Sequence, residues 1–137
     1  MICKKNSTKI SGCLIVLLLI LITFGGCCSP HYDAGSFLNF GEIRGRMLVL
    51  YDILQVNLDE VQINDVRNSL LHNQSYENAR SCNDETKKLS DSLLTMFDRH
   101  IMERRAGNWT PVIKSNNQKD VNTLIMHIIK LEEAKSK

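Results

Sequence analysis

The chain has little proline and little glycine: two of the first, Pro30 and Pro111, and seven of the second in 137 residues. The glycines are too scattered to build a phosphate-cradling loop, and no serine sits in a nucleophile elbow. No segment is of low complexity and none repeats. His31, His72, His100 and His127 stand far apart, with no cysteine at ligand spacing. They are expected at or near the surface and not around a metal. Dense runs of lysine or arginine are also missing, so a nucleic-acid partner is not expected. Cys82 is followed closely by the acids Asp84 and Glu85, whereas a reactive thiolate needs a cationic surrounding and an orienting base, so a disulfide is the expected state. Glu132 and Glu133 are adjacent and diverge on a helix, so they do not form a catalytic pair. The sequence points to neither a cofactor nor catalysis.

What is present begins at the N-terminus. Lys4, Lys5 and Lys9 precede an apolar run ending at Phe24, then the small residues Gly25, Gly26 and Ser29. This patterning predicts a secretory signal peptide over residues 1–28, the run being shorter than the roughly 20 residues that span a bilayer. A membrane anchor is the alternative, and a lipoprotein acylated at Cys27 is another. Three lysines and no acids leave with residues 1–28, so 14 basic residues remain against 15 acidic, a net charge of −1. The remaining residues, 29–137, are expected to form one domain that meets no membrane after cleavage. In a secreted chain the natural disulfide joins the N-terminal pair, Cys27 or Cys28, to Cys82. Cys28 to Cys82 is the expected bridge, and cleavage ahead of Cys27 would leave one thiol over.

Hydrophobic periodicity predicts an all-α fold. The clearest helix runs from about residue 82 to residue 105, with Ser81 as N-cap and Asp84 as capping-box acid. Leu89, Leu93, Met96, Phe97 and Ile101 follow at steps of three and four, facing a core. Glu103, Arg104 and Arg105 read as solvated charge. An earlier helix over 40–55 is expected from Phe40, Ile43, Met47, Leu50 and Leu54, capped by Asn39 with Glu42. Gly41 and Gly45 weaken it; either another backbone approaches them or they are simply tolerated. Residues 56–80 lose the period and read as a long crossover, with a short strand near Val61 and Ile63 as the alternative. Gly107 and Pro111 mark a break before a final helix over 117–134, whose stripe is Val121, Leu124, Ile125, Ile128 and Leu131. Asn73-Gln74-Ser75 and Asn108-Trp109-Thr110 are glycosylation acceptor patterns in expected loops, which assigns Asn73 and Asn108 as candidate sites.

A cysteine ahead of the first helix, a long crossover and a second cysteine opening the central helix resemble the interleukin-10 family of class II helical cytokines, in its interleukin-20, 22 and 24 branch. In that branch a sequon shortly precedes a Ser-Cys pair that starts a Leu-rich helix. Asn73-Gln74-Ser75, Ser81-Cys82, Leu89, Leu93, Met96 and Phe97 stand in those places. Asp65-Val66-Arg67 looks like the tripeptide that such ligands present to their receptor. The resemblance covers about residues 37–131 and implies a short helical-cytokine bundle that binds a class II cytokine receptor ectodomain. Asp65, Arg67 and an exposed Arg44 on the first helix would be the contacts. The chain is shorter than the family, which continues through two further helices; a shortened viral homologue would fit. Either the end is missing, leaving apolar stripes on three helices partly uncovered and favouring dimerisation, swapping or receptor-assisted folding, or the final segment has become the last helix; a monomer or a homodimer is expected.

Overall fold

The computed structural model describes residues 29–137. The expected signal peptide, Cys27 and Cys28 lie outside them. The described residues form four helices, α1 (Ala34–Val56), α2 (Glu60–Ala79), α3 (Asp84–Ala106) and α4 (Pro111–Ala134), with no strand among them. The connections 57–59, 80–83 and 107–110 are three or four residues long. Connections that short make successive helices antiparallel, giving an up-down-up-down bundle. Each helix packs on its neighbours in sequence, and α4 closes the ring against α1. No described helix is long and apolar enough to cross a membrane.

The expected crossover is instead a helix. α2 buries Ile63, Val66, Leu70, Asn73 and Glu77, a regular three-and-four spacing. Two of these five positions are polar, which hides the period from any reading of apolar residues alone. The asparagines that interrupt the stretch, Asn64 and Asn68, lie on its exposed face. The resulting short connections also differ from the long-crossover arrangement expected from the family resemblance.

The final helix carries its stripe inward. Val121, Ile125 and Ile128 are fully buried with Met47, Ile63 and Phe97 in one apolar cluster. Among the described residues the four helices bury these stripes together in one core. Each such side chain contributes about 1.5–3 kcal/mol by leaving water.

Helix starts differ from expectation for reasons visible in the side chains. α1 begins six residues before Phe40, because Asp33 caps it by accepting from the Ser36 N–H at 2.9 Å. Asn39 lies inside the helix. The Tyr76 hydroxyl donates to the same Asp33 carboxylate, 2.8 Å from Oδ1. Gly35 permits this approach, since a Cβ there would come within 2.8 Å of the Tyr76 hydroxyl oxygen. α4 begins at Pro111 with Thr110 as N-cap, not at Asn117. α3 begins at Asp84, and its N-cap Asn83 makes no side-chain cap bond. The Asn83 side chain is occupied elsewhere: it donates to Glu77 at 2.6 Å and accepts from Lys135 at 2.6 Å.

Those bonds belong to a polar clasp at the bundle end where α1 and α3 start and α2 and α4 stop. Glu132, fully buried, accepts from the Thr86 hydroxyl at 2.7 Å and pairs with Arg80 at 3.1 Å and with Lys135. Arg80 also reaches Glu77 at 2.7 Å and Asp33 at 3.6 Å. Burial pulls the Glu132 carboxyl up, but Lys135, Thr86 and Arg80 outweigh it and hold it below the usual range. Asp33 is likewise lowered, its desolvation outweighed by the Ser36 N–H, Tyr76 and Arg80.

The opposite end is aromatic. Tyr51 meets Trp109 edge to face at 5.2 Å, and His100, expected near the surface, is buried against Tyr51. The Tyr51 hydroxyl and His100 Nδ1 share a buried hydrogen bond of 2.8 Å, and the Arg99 guanidinium lies 3.4 Å from Nε2. Burial first, and the Arg99 charge second, lower the His100 pKa; Glu103 and Asp120 oppose weakly. Arg104, expected to be solvated, is buried and donates to the Leu54 carbonyl at 2.5 Å, capping the end of α1.

These shifts predict a two-step acid profile. All three groups have lowered folded pKa values, so each contributes stability above its unfolded pKa that is lost as pH falls. His100, with an ordinary value of 6.5, starts the first decline below that pH. Glu132 and Asp33, with ordinary values of 4.5 and 3.8, start the second. Urea midpoints between pH 8 and pH 3 should show both declines, and His100→Phe should remove only the first.

Candidate functional site

The residues expected to bind a receptor sit on three different faces. Asp65 and Arg67 are two residues apart on α2, about 200° around the helix. Asp65 faces α1, where it pairs with Arg46 at 3.0 Å. Arg67 faces α3 and holds Asp98 through two contacts of 3.0 Å. Arg44 is not exposed as expected: it is half-buried toward α4, with Nε donating to Asn122 Oδ1 at 2.6 Å. The three do not form one patch.

The structure does build a groove between α1 and α2. Arg46 is its centrepiece, gripped by Glu42 at 2.9 Å one helical turn before it and by Asp65 and Ser69 at 3.0 and 3.1 Å across the groove. The Ser69 hydroxyl donates to the Asp65 carbonyl at 3.1 Å. The guanidinium is therefore fixed by acceptors on both walls while still 41% exposed. Asp65 remains 68% exposed at its side chain, available to a partner.

Deeper in the groove lies Asn73. It is 2% exposed, and neither its amide nitrogen nor its carbonyl oxygen has a hydrogen-bond partner among the described residues. The expected glycan acceptor at Asn73 thus loses its loop: the residue is inside α2, and its nitrogen is buried. Asn108 does lie in the exposed α3–α4 connection, accepting from Arg104 at 3.1 Å. Replacing Asn73 with the similarly sized leucine should raise unfolding free energy by about 1–3 kcal/mol, because an unpaired buried amide is exchanged for apolar volume. Urea unfolding measures it.

Cys82, which joins α2 to α3, is disulfide-bonded. No other cysteine stands in residues 29–137, so its partner lies outside them, as does the expected Cys28. Among the described residues no three His, Cys, Asp or Glu side chains converge as metal ligands.

The sequence carried a signal for Arg46: Glu42 and Arg46 stand four apart, the spacing of a helical ion pair. Asn73 had one too, falling in step with Ile63, Val66 and Leu70. Comparison with protein-family models, curated proteins and solved structures finds no match to this chain.

Proposed function

We propose that the chain is a secreted, cytokine-like helical ligand that binds the ectodomain of a class II cytokine receptor of the interleukin-20 or interleukin-22 receptor type, as agonist or decoy. The observation that carries this reading is the disulfide-bonded Cys82 at the opening of α3 in an all-helical bundle. That is the element on which the family resemblance turns, and a stable disulfide belongs to an oxidising, extracellular setting. With it go residues 1–28 as signal peptide, Cys28 as the partner of Cys82 and Asn108 as the glycan site. Of the residues the resemblance names, Arg67 borders a hollow between α2 and α3 but is held by Asp98, whereas Asp65 borders the α1–α2 groove beside Arg46 and stays 68% exposed, so the α1–α2 face with Asp65 and Arg46 is the docking surface.

Surface binding of the refolded, disulfide-intact chain to interleukin-20-type and interleukin-22-type receptor ectodomains tests the reading. Asp65→Ala and Arg46→Ala should each weaken binding about tenfold or more while changing stability by less than about 1 kcal/mol, since the ion pairs they break are exposed. Arg67→Ala, on another face, should leave affinity unchanged. Silence from every ectodomain sinks the proposal.

The short connections depart from the family's long crossover and so leave room for a second reading, a small secreted or lipid-anchored (Cys27) helical structural or interaction protein. Intact mass of the mature N-terminus separates them: a diacylglyceryl group on Cys27 supports the second, a Cys28 to Cys82 bridge the first.

A further inference from the structure

Two hollows lie end to end between α1 and α2, of about 290 and 320 Å³, sharing Arg46 and Asp65. Asn39 and His72 border one, Val49 and Gln62 the other. From Asn39 to Val49 the groove follows α1 for about 15 Å at the helical rise, the length of four to five residues of extended chain. Asn73 lines the first hollow, buried, with both ends of its carboxamide unpartnered. An orphaned buried carboxamide is destabilising, and at the floor of an open groove it is placed to pair with a group that enters from outside. Gly45 lines the second hollow, one turn after Gly41. A Cβ at either glycine would meet nothing within 4 Å, so no contact among the described residues requires them. Their effect is to leave the α1 wall bare to a close approach from outside.

We propose that this groove binds an extended, neutral-to-basic peptide segment of a partner protein, with one peptide group of that segment both donating to and accepting from the Asn73 carboxamide. A peptide group offers the one donor and one acceptor that match Asn73, and only an extended chain has them free. A helix spends its own internally. The walls carry Glu42 and Asp65 against Arg46, one net negative charge, which disfavours phosphate and acidic segments and favours a lysine or arginine near Asp65. Each hollow sits at the lower end of the range for small-molecule pockets, too small for a large cofactor. The inference rests on the chain acting by binding another protein, but not on that protein being a class II receptor.

The test is a titration of ¹⁵N-labelled, disulfide-intact protein with two blocked pentapeptides, acetyl-Val-Ser-Lys-Ser-Val-amide and its glutamate-centred counterpart, followed by NMR. Saturable shifts are expected at the Ile43, Arg46 and His72 amides and at the Asn73 side-chain amide, with the lysine peptide at least about threefold tighter. Asn73→Leu, which keeps the fold, should weaken the lysine peptide about tenfold, and Gly45→Leu, filling the second hollow, should weaken it as well. Absence of saturable shifts, shifts on another face, equal binding by Asn73→Leu, or preference for inorganic phosphate or N-acetylglucosamine overturns the proposal. Receptor ectodomains run in parallel separate the two readings. Peptide binding without receptor binding leaves the groove and removes the receptor. Receptor binding that Asn73→Leu does not alter, with no peptide binding, does the reverse.

Discussion

Replacing Glu132 with alanine should lower the unfolding free energy by about 3–5 kcal/mol, read from urea unfolding at neutral pH. Glu132 is fully buried and, among the described residues, is the only acid that contacts both Arg80 and Lys135. Its removal strands Lys135, 7% exposed at its side chain, without a carboxylate, and leaves Arg80 leaning on Glu77 and Asp33. The Thr86 hydroxyl loses its acceptor as well. The cost comes from the stranded charges rather than from the intrinsic worth of the pair, because desolvating both partners consumes much of their attraction. A second variant isolates that point. Glu132→Leu combined with Lys135→Met removes both buried charges and should recover more than half of the loss. If the single variant costs less than 1 kcal/mol, the clasp does not hold the bundle end together. A double variant as unstable as the single would mean that the loss comes from packing.

This clasp also shows what a linear reading cannot deliver. Arg80, Asn83, Thr86, Glu132 and Lys135 look like ordinary helix-end polar residues, and their meeting depends on α2 being a helix. Once residues 60–79 are read as a crossover, the antiparallel order is lost, and so is the shared end of the bundle. The apolar faces of α1, α3 and α4 were legible because leucine, isoleucine and phenylalanine fall there at helical spacing. The central helix was placed correctly from Leu93, Phe97 and Ile101, all buried. Its start was not, because Asn83 turns its side chain toward Glu77 and Lys135 instead of capping. Buried polar residues defeat hydrophobic periodicity in both directions: Asn73 and His100 hide in the core, and Arg104 looks solvated while capping α1 from inside. Of the groove, Asp65 was named only by the resemblance, and the spacing signals at Arg46 and Asn73 gain a meaning only once α1 and α2 are paired.

Cys82→Ser should cost about 4 kcal/mol, the chain-entropy value for opening a loop of about 54 residues to the proposed partner Cys28. Reduced wild-type protein should fall to the same level as the variant. Cys82 carries a second burden, however. Its φ of 58° is the only left-handed value at a non-glycine among the described residues. That conformation costs an L-residue about 1–2 kcal/mol, and it is what turns the chain between the antiparallel α2 and α3 within four residues. Glycine is the usual residue for such a turn, and the sequence places a cysteine there instead, which indicates that the bond outweighs the strain. Cys82→Gly should therefore lose the disulfide but relieve the backbone, settling about 1 kcal/mol above Cys82→Ser. The order wild type, then glycine, then serine distinguishes the two contributions. Serine and wild type of equal stability would mean that the disulfide does not stabilise the fold. Glycine below serine would mean that the left-handed turn at Cys82 carries no strain to relieve.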